Sequence, residues 1–131
     1  MNTEVAKVLL FDQNGKLLIY LRDDKPSIPY PNMWDLLGGG VEENESAKEA
    51  GIREIQEEIG VQVEDLDEFG RYSSTGGFHF TIFSGAVEAL PETLILTEGQ
   101  RLISIDLNTA INYEIVPILA KAIEDYASSL L

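Results

Sequence analysis

Gly38-Gly39-Gly40-Val41-Glu42-Glu43-Asn44-Glu45, running on through Ser46 to Val61, decides how the rest of the chain is read. Its last third is Arg53-Glu54-Ile55-Gln56-Glu57-Glu58-Ile59-Gly60-Val61. The glycines predict a turn feeding a helix. Ser46-Ala47-Lys48-Glu49 matches a capping box, so the helix is expected to start at Ser46. Gly60 stands where a C-terminal cap glycine belongs. Ala47, Ala50, Gly51, Ile55 and Ile59 form a narrow face of mostly small residues that can pack closely on a sheet. Elsewhere on the helix, Glu54, Glu57 and Glu58 fall within an arc of roughly 100°. Like charges at i,i+4, as in Glu54/Glu58, cost a helix about 0.2–0.5 kcal/mol per pair. Stability alone does not ask for this arrangement; a positive partner is expected beside it.

Upstream, Glu4 to Phe11 reads as a strand, Asp12-Gln13-Asn14-Gly15 as a tight turn, and Lys16 to Arg22 as the returning strand. The blocks Val8-Leu9-Leu10-Phe11 and Leu17-Leu18-Ile19 do not alternate cleanly, which predicts a sheet covered by helices on both faces. Pro26, Pro29 and Pro31 make Asp23 to Asn32 a loop. Met33 to Leu37 is then a short strand leading into the glycines. Downstream, Val61 to Ser73, Phe78 to Glu88 and Arg101 to Ile105 read as strands. From Val116 onward Leu119, Ala122, Ile123, Tyr126 and Leu130 recur at helical spacing, and Pro117 is tolerated in a first turn. The expected fold class is α/β, a sandwich around a mixed β-sheet. Residues 1–131 are read as a single domain without repeats or linkers.

Composition narrows the function. With 9 Lys+Arg against 23 Asp+Glu, the net charge of −14 repels polyanions, so a nucleic acid polymer is not expected as the partner. A small phosphorylated substrate remains open if cations mediate the contact. The chain has no cysteine, hence no disulfide framework and no thiolate metal site. No apolar run reaches about 18 residues, the length of a membrane span. Met1-Asn2-Thr3-Glu4 lacks the basic start of a signal peptide. The expectation is a cytoplasmic protein with no membrane partner.

Three carboxylates this close repel unless a divalent cation bridges them. Oxygen ligands without cysteine, and with one histidine in the chain, favour Mg²⁺ or Mn²⁺ over zinc. Mg²⁺ commonly joins a few carboxylates to substrate phosphates, so the expected chemistry is metal-assisted attack of water on phosphorus. The plainer alternative is a solvated acidic helix face. A calcium loop is a second alternative, but Asp65-Leu66-Asp67-Glu68-Phe69-Gly70 lacks the spacing of an EF-hand.

The complete pattern favours the metal site. The stretch resembles the Nudix box: glycine, five residues, Glu, seven residues, Arg-Glu-apolar-x-Glu-Glu-x-Gly-apolar. Gly39, Glu45, Arg53, Glu54, Ile55, Glu57, Glu58, Gly60 and Val61 occupy its fixed positions. The residue before the glycines is often proline in that family and is Leu37 here, which should loosen the turn without removing a catalytic group. The resemblance implies an α/β/α sandwich of the Nudix type and a MutT-like, divalent-metal-dependent pyrophosphohydrolase. Such enzymes cleave a nucleoside diphosphate linked to another group, with Mg²⁺ or Mn²⁺ as cofactor. By the same resemblance Glu57, Glu58 and the Gly38 carbonyl are metal ligands. Glu54 is a further ligand or the group that activates water. Arg53 holds the glutamates and pairs with Glu45, a role suited to a forked guanidinium.

Outside the box, Glu98 resembles a loop glutamate that completes the metal site or serves as base; the alternative is an ordinary surface acid. Arg22 resembles a phosphate-contacting position, and a plain surface arginine is the alternative. His79 is expected to be a partly exposed strand residue. Phe78 and Phe80 are read as core residues ahead of base-stacking groups. Tyr30 and Trp34 either face a nucleobase or fill a core, with the core preferred for Trp34. The leading substrate is a nucleoside triphosphate, an oxidised one included, ahead of a nucleotide sugar or a dinucleoside polyphosphate. The rival is a binding protein on the same fold that senses a nucleotide without turnover. A homodimer is compatible with the resemblance, though no residue singles out its interface.

Overall fold

The structure, a computed structural model, describes residues 3–131. Met1 and Asn2, the start of the stretch read for a signal peptide, lie outside the described residues. Strands β1 (Glu4–Phe11) and β2 (Leu17–Leu21) form the expected hairpin around Asn14-Gly15. Asp12 organises that turn: its Oδ1 accepts from the Asn14 and Lys16 amides at 2.9 and 3.0 Å. The stretch predicted as one strand over 33–37 is instead two, β3 (Trp34–Asp35) and β4 (Leu37–Gly40). β3 pairs with β2 and β4 pairs with β1, so the chain changes partner at Leu36. Leu37 therefore sits in a strand with its side chain fully buried, not in a turn. The glycines, expected to form a turn, form β4; the turn proper follows them, with Asn44 at φ 66°.

Helix α1 (Ala47–Ile59) begins at the predicted cap: Ser46 accepts from the Glu49 amide and Glu49 reaches back to the Ser46 amide. It ends at Gly60, whose φ of 72° is the left-handed cap conformation. The strand expected from Val61 begins only at Asp67, as β5 (Asp67–Ser73). Val63 and Leu66 spend that interval buried in the core beside α1 instead of in a ladder. β6 (His79–Ala86), β7 (Arg101–Ile105) and helix α2 (Pro117–Ser129) complete the chain.

The sheet is mixed. Its order is β3-β2-β1-β6-β5, with β4 added on β1 and β7 on β2, and β1 and β6 run parallel. Val8, Leu10 and Leu18 point into one cluster with Ala50, Ile55 and Ile59 of α1. Their neighbours Leu9, Leu17 and Ile19 point into a second cluster with Leu119, Ala122 and Ile123 of α2. Both faces are covered, which is why β1 and β2 read as unbroken apolar runs. Trp34 packs in the second cluster, edge-on to Tyr113, as expected for a core residue. Phe80 also packs there, but Phe78 lies in the β5–β6 turn region and is 40% exposed, against the core assignment. His79 is exposed and meets Ser73 across the hairpin. Tyr30 is exposed and therefore fills no core. Among the described residues no helix is long and apolar enough to cross a membrane.

Candidate active site

The site is assembled where β4 lies between β1 and α1. Gly38 pairs with Lys7, and Gly39 with Ala6. Gly38 has φ 130°, and a Cβ there would lie 2.1 Å from the Ala6 carbonyl oxygen, so only glycine fits. At Gly39 a Cβ would stand 2.6 Å from Cδ of Glu54. The bare backbone of Gly39 is what lets the Glu54 carboxylate rest against the strand.

Glu58 is 5% exposed, and its Oε1 accepts from the Gly38 amide at 2.8 Å. Burial pushes its carboxyl up to about 8, while Lys7 and the Gly38 amide pull in the opposite direction. Glu54 is raised more gently, chiefly by burial, with Arg53 opposing. The Glu57 side chain is largely exposed and paired with Arg53 at 3.1 Å.

Arg53 is the hub of the rim. Its Nε and Nη2 fork onto Glu45 at 2.8 and 3.1 Å, the pairing that the Nudix resemblance implies. Its Nη1 reaches Glu54 at 3.1 Å, and its Nη2 also donates to the Gly40 carbonyl at 3.0 Å. These anions raise its already high pKa, with the Glu45 hydrogen bonds as the largest cause. Arg53 thus ties the loop after β4 to α1.

A cleft of about 370 Å³ opens over these groups, lined by Gly38, Gly39, Glu54 and Glu58 together with Arg22 and Glu98. Of the residues singled out from sequence, Glu57 and Arg53 do not line it. A larger cavity of about 980 Å³ lies between residues 106–115 and α2 and holds none of them. Chemistry, not size, identifies the site. Arg22 is anchored, its Nη1 to Asp35 at 2.7 Å and its Nε to the Pro29 carbonyl at 3.0 Å. Glu98 is exposed on the loop before β7.

Lys7 and Tyr20, which line the cleft, and Asp35, to which both are bonded, escaped the sequence reading. Asp35 is 2% exposed, and its Oδ2 takes Lys7 Nζ at 3.1 Å, the Tyr20 hydroxyl at 3.1 Å and Arg22 at 2.7 Å. Lys7, itself buried, also donates to the Leu36 and Gly38 carbonyls at 3.1 and 3.3 Å. Its three ammonium protons meet three acceptors. Burial and the Asp35 charge keep the Tyr20 phenol protonated far above its usual range. The available signal was one charge, Lys7, inside an apolar strand, and another, Asp35, between Trp34 and Leu36.

Among the described residues no three His, Cys, Asp or Glu side chains are gathered closely enough, as they stand, to hold a metal ion. The carboxylates of Glu54, Glu58 and Glu98 share the cleft and offer oxygen, which suits a hard divalent cation, although Lys7, Arg22 and Lys25 line it too. Gly39 leaves room for the Glu54 carboxylate in the same cleft as Gly38 and Glu58. In donor chemistry the residues fit such an ion.

A mixed sheet between two helices, with an acidic helix facing a glycine strand, defines an α/β protein built around a carboxylate cleft. A model of the NUDIX domain matches residues 1–104, and the chain belongs to that family. The fold is similar to that of the MutT protein from Methanosarcina mazei Go1: TM-score 0.81, 22% identity, 97% of this chain and 94% of the other. In sequence the chain is 42% identical over 60 residues to a Bacillus subtilis (strain 168) protein named "Putative 8-oxo-dGTP diphosphatase". That match covers 46% of this chain and 36% of the other. An RNA pyrophosphohydrolase of Gluconobacter oxydans (strain 621H) is 40% identical over 55 residues, covering 42% and 30%. The matched stretch spans only about a third of the length of these curated relatives.

Proposed function

We propose that the chain is a divalent-metal-dependent pyrophosphohydrolase that cleaves a nucleoside diphosphate linked to another group. The observation that carries this reading is the burial of Glu58 against the Gly38 amide, in a cleft that it shares with the Glu54 and Glu98 carboxylates. Two buried or half-buried carboxylates facing one backbone strand are costly without a cation. A divalent-metal requirement is general to the family. The names of the relatives, a diphosphatase and a pyrophosphohydrolase, point the same way.

In this reading Glu54, Glu57, Glu58 and the Gly38 carbonyl would hold Mg²⁺ or Mn²⁺, with Glu98 as a further ligand or as base. The ion, when bound, supplies charge for the phosphate oxygens and lowers the pKa of a water. The remaining work falls to the chain. Glu54 or Glu98 accepts the proton of the attacking water. Arg53 fixes Glu54 and Glu57 through its hydrogen bonds. Arg22, held at a defined angle by Asp35 and Pro29, contacts a substrate phosphate. Catalysis is then mostly positioning and charge neutralisation. The substrate favoured is a nucleoside triphosphate, an oxidised one included, within a single domain of residues 1–131.

The test is release of pyrophosphate or monophosphate with Mg²⁺ from a panel of GTP, dGTP, 8-oxo-dGTP, UDP-glucose and diadenosine tetraphosphate. Turnover of at least one member, abolished by a chelator, is expected. Nucleotide binding without turnover across the panel would favour the sensing protein and end the enzyme reading.

A further inference from the structure

Residues 94–100, the part of the β6–β7 connection that carries Glu98, form no helix or strand, yet they are fastened on both sides of that residue. On the near side, the Thr97 amide donates to the Glu58 carbonyl at 2.9 Å. The Thr97 hydroxyl donates to the Glu57 carbonyl at 2.9 Å, with the Glu58 carbonyl at 3.3 Å. These carbonyls belong to the last turn of α1, where a helix has no partners of its own for them. On the far side, the Gln100 amide donates to the Leu21 carbonyl at 2.8 Å. The Gln100 carboxamide then spans the Arg22 carbonyl at 2.7 Å and the Asn32 Oδ1 at 2.9 Å. Between the two fastenings Gly99 takes φ 88°, and a Cβ there would lie 2.8 Å from the Leu21 carbonyl. Leu94 and Leu96 pack the preceding segment against the α1-side core.

We infer that Thr97 and Gln100 are positioning residues, which hold the Glu98 carboxylate over the cleft by tying its loop to the end of α1 and to the end of β2. The inference rests on the reading of Glu98 as ligand or base. Thr97 grips the backbone of Glu57 and Glu58, two of the residues proposed to hold the ion. A shift of the α1 terminus therefore carries Glu98 with it. Gln100 grips the backbone of Arg22, so the phosphate-facing arginine and the glutamate are set relative to one another. Neither residue touches the reacting atoms. A free loop would have to lose its conformational freedom at each turnover, whereas this one has already lost it.

The test compares Thr97→Val, Thr97→Ser and Gln100→Leu, alone and combined with Glu98→Gln, on the best substrate of the panel. Thr97→Val and Gln100→Leu are expected to lower kcat about ten-fold with KM within about two-fold, and Thr97→Ser to stay near wild type. In the Glu98→Gln background the same changes should cost nothing further, because the group being positioned is gone. Hydrogen exchange in the metal-free protein gives a readout without turnover. The Gln100 amide should exchange faster in Thr97→Val and at the wild-type rate in Thr97→Ser. An equal loss of kcat with and without Glu98, or unchanged exchange in Thr97→Val, would overturn the inference. Wild-type kcat in Glu98→Gln alone would instead sink the role given to Glu98, and the inference with it.

Discussion

Glu58 is the residue on which the chemistry turns, because its burial is unfavourable for the protein standing alone. Its folded pKa lies near 8, above the ordinary 4.5, so the folded state holds a proton that the unfolded state releases. The contribution is therefore most favourable below about pH 4.5 and is lost as pH rises towards about 8. In metal-free buffer, thermal stability should fall across that window in wild type and stay flatter in Glu58→Gln. The glutamine keeps the oxygen that accepts from Gly38. At pH 8 the variant should melt at the same temperature or slightly higher, yet lose nearly all Mg²⁺-dependent turnover. Thermal melts with a chelator, set beside kcat, check both; a marked drop in metal-free stability would show that Glu58 is structural. Lys7 shows why the floor of the site was illegible. A lysine inside a strand reads as a solvent-facing position, and only the register opposite Gly38 reveals that its ammonium is buried on Asp35.

At the scale of the elements, β4 and α1 form one device. The capping box at Ser46 and the cap at Gly60 were legible because each depends on short-range spacing, whereas the Arg53–Glu45 fork was expected only from the resemblance to the Nudix box. β4 was not, since glycine weakens a strand and a glycine run reads as a turn. Pairing with β1 overrides that preference, and the glycines are there to admit Glu54 and the Ala6 carbonyl. Two alanine substitutions separate these jobs. Gly39→Ala meets only the movable end of Glu54, so it should displace the carboxylate and cut turnover more than ten-fold while costing about 1 kcal/mol of stability. Gly38→Ala meets backbone at an unfavourable φ, so it should destabilise the fold by about 3 kcal/mol or more. Denaturant midpoints and kcat for the pair test the contrast. Equal loss of stability in both would contradict it.

For the whole molecule, the two helices bury the two faces of one mixed sheet, and the cleft opens beside β4, which pairs with β1 and leads into α1. That layering was legible from the unbroken apolar runs of β1 and β2 and the periodicity of α2, because burial on two faces leaves a mark in composition. The boundaries of β5 and the exposure of Phe78 were not, since both depend on how distant segments close over each other. As proposed, the acidic residues of α1 bind a divalent ion that turnover requires. Titration of metal-free protein with Mn²⁺, followed by electron paramagnetic resonance alongside turnover, tests it in wild type and Glu58→Gln. Binding in wild type with a midpoint that matches the onset of turnover, and at least ten-fold weaker binding in the variant, is predicted. Equal Mn²⁺ affinity in the two proteins, or turnover that persists without the ion, would contradict the account.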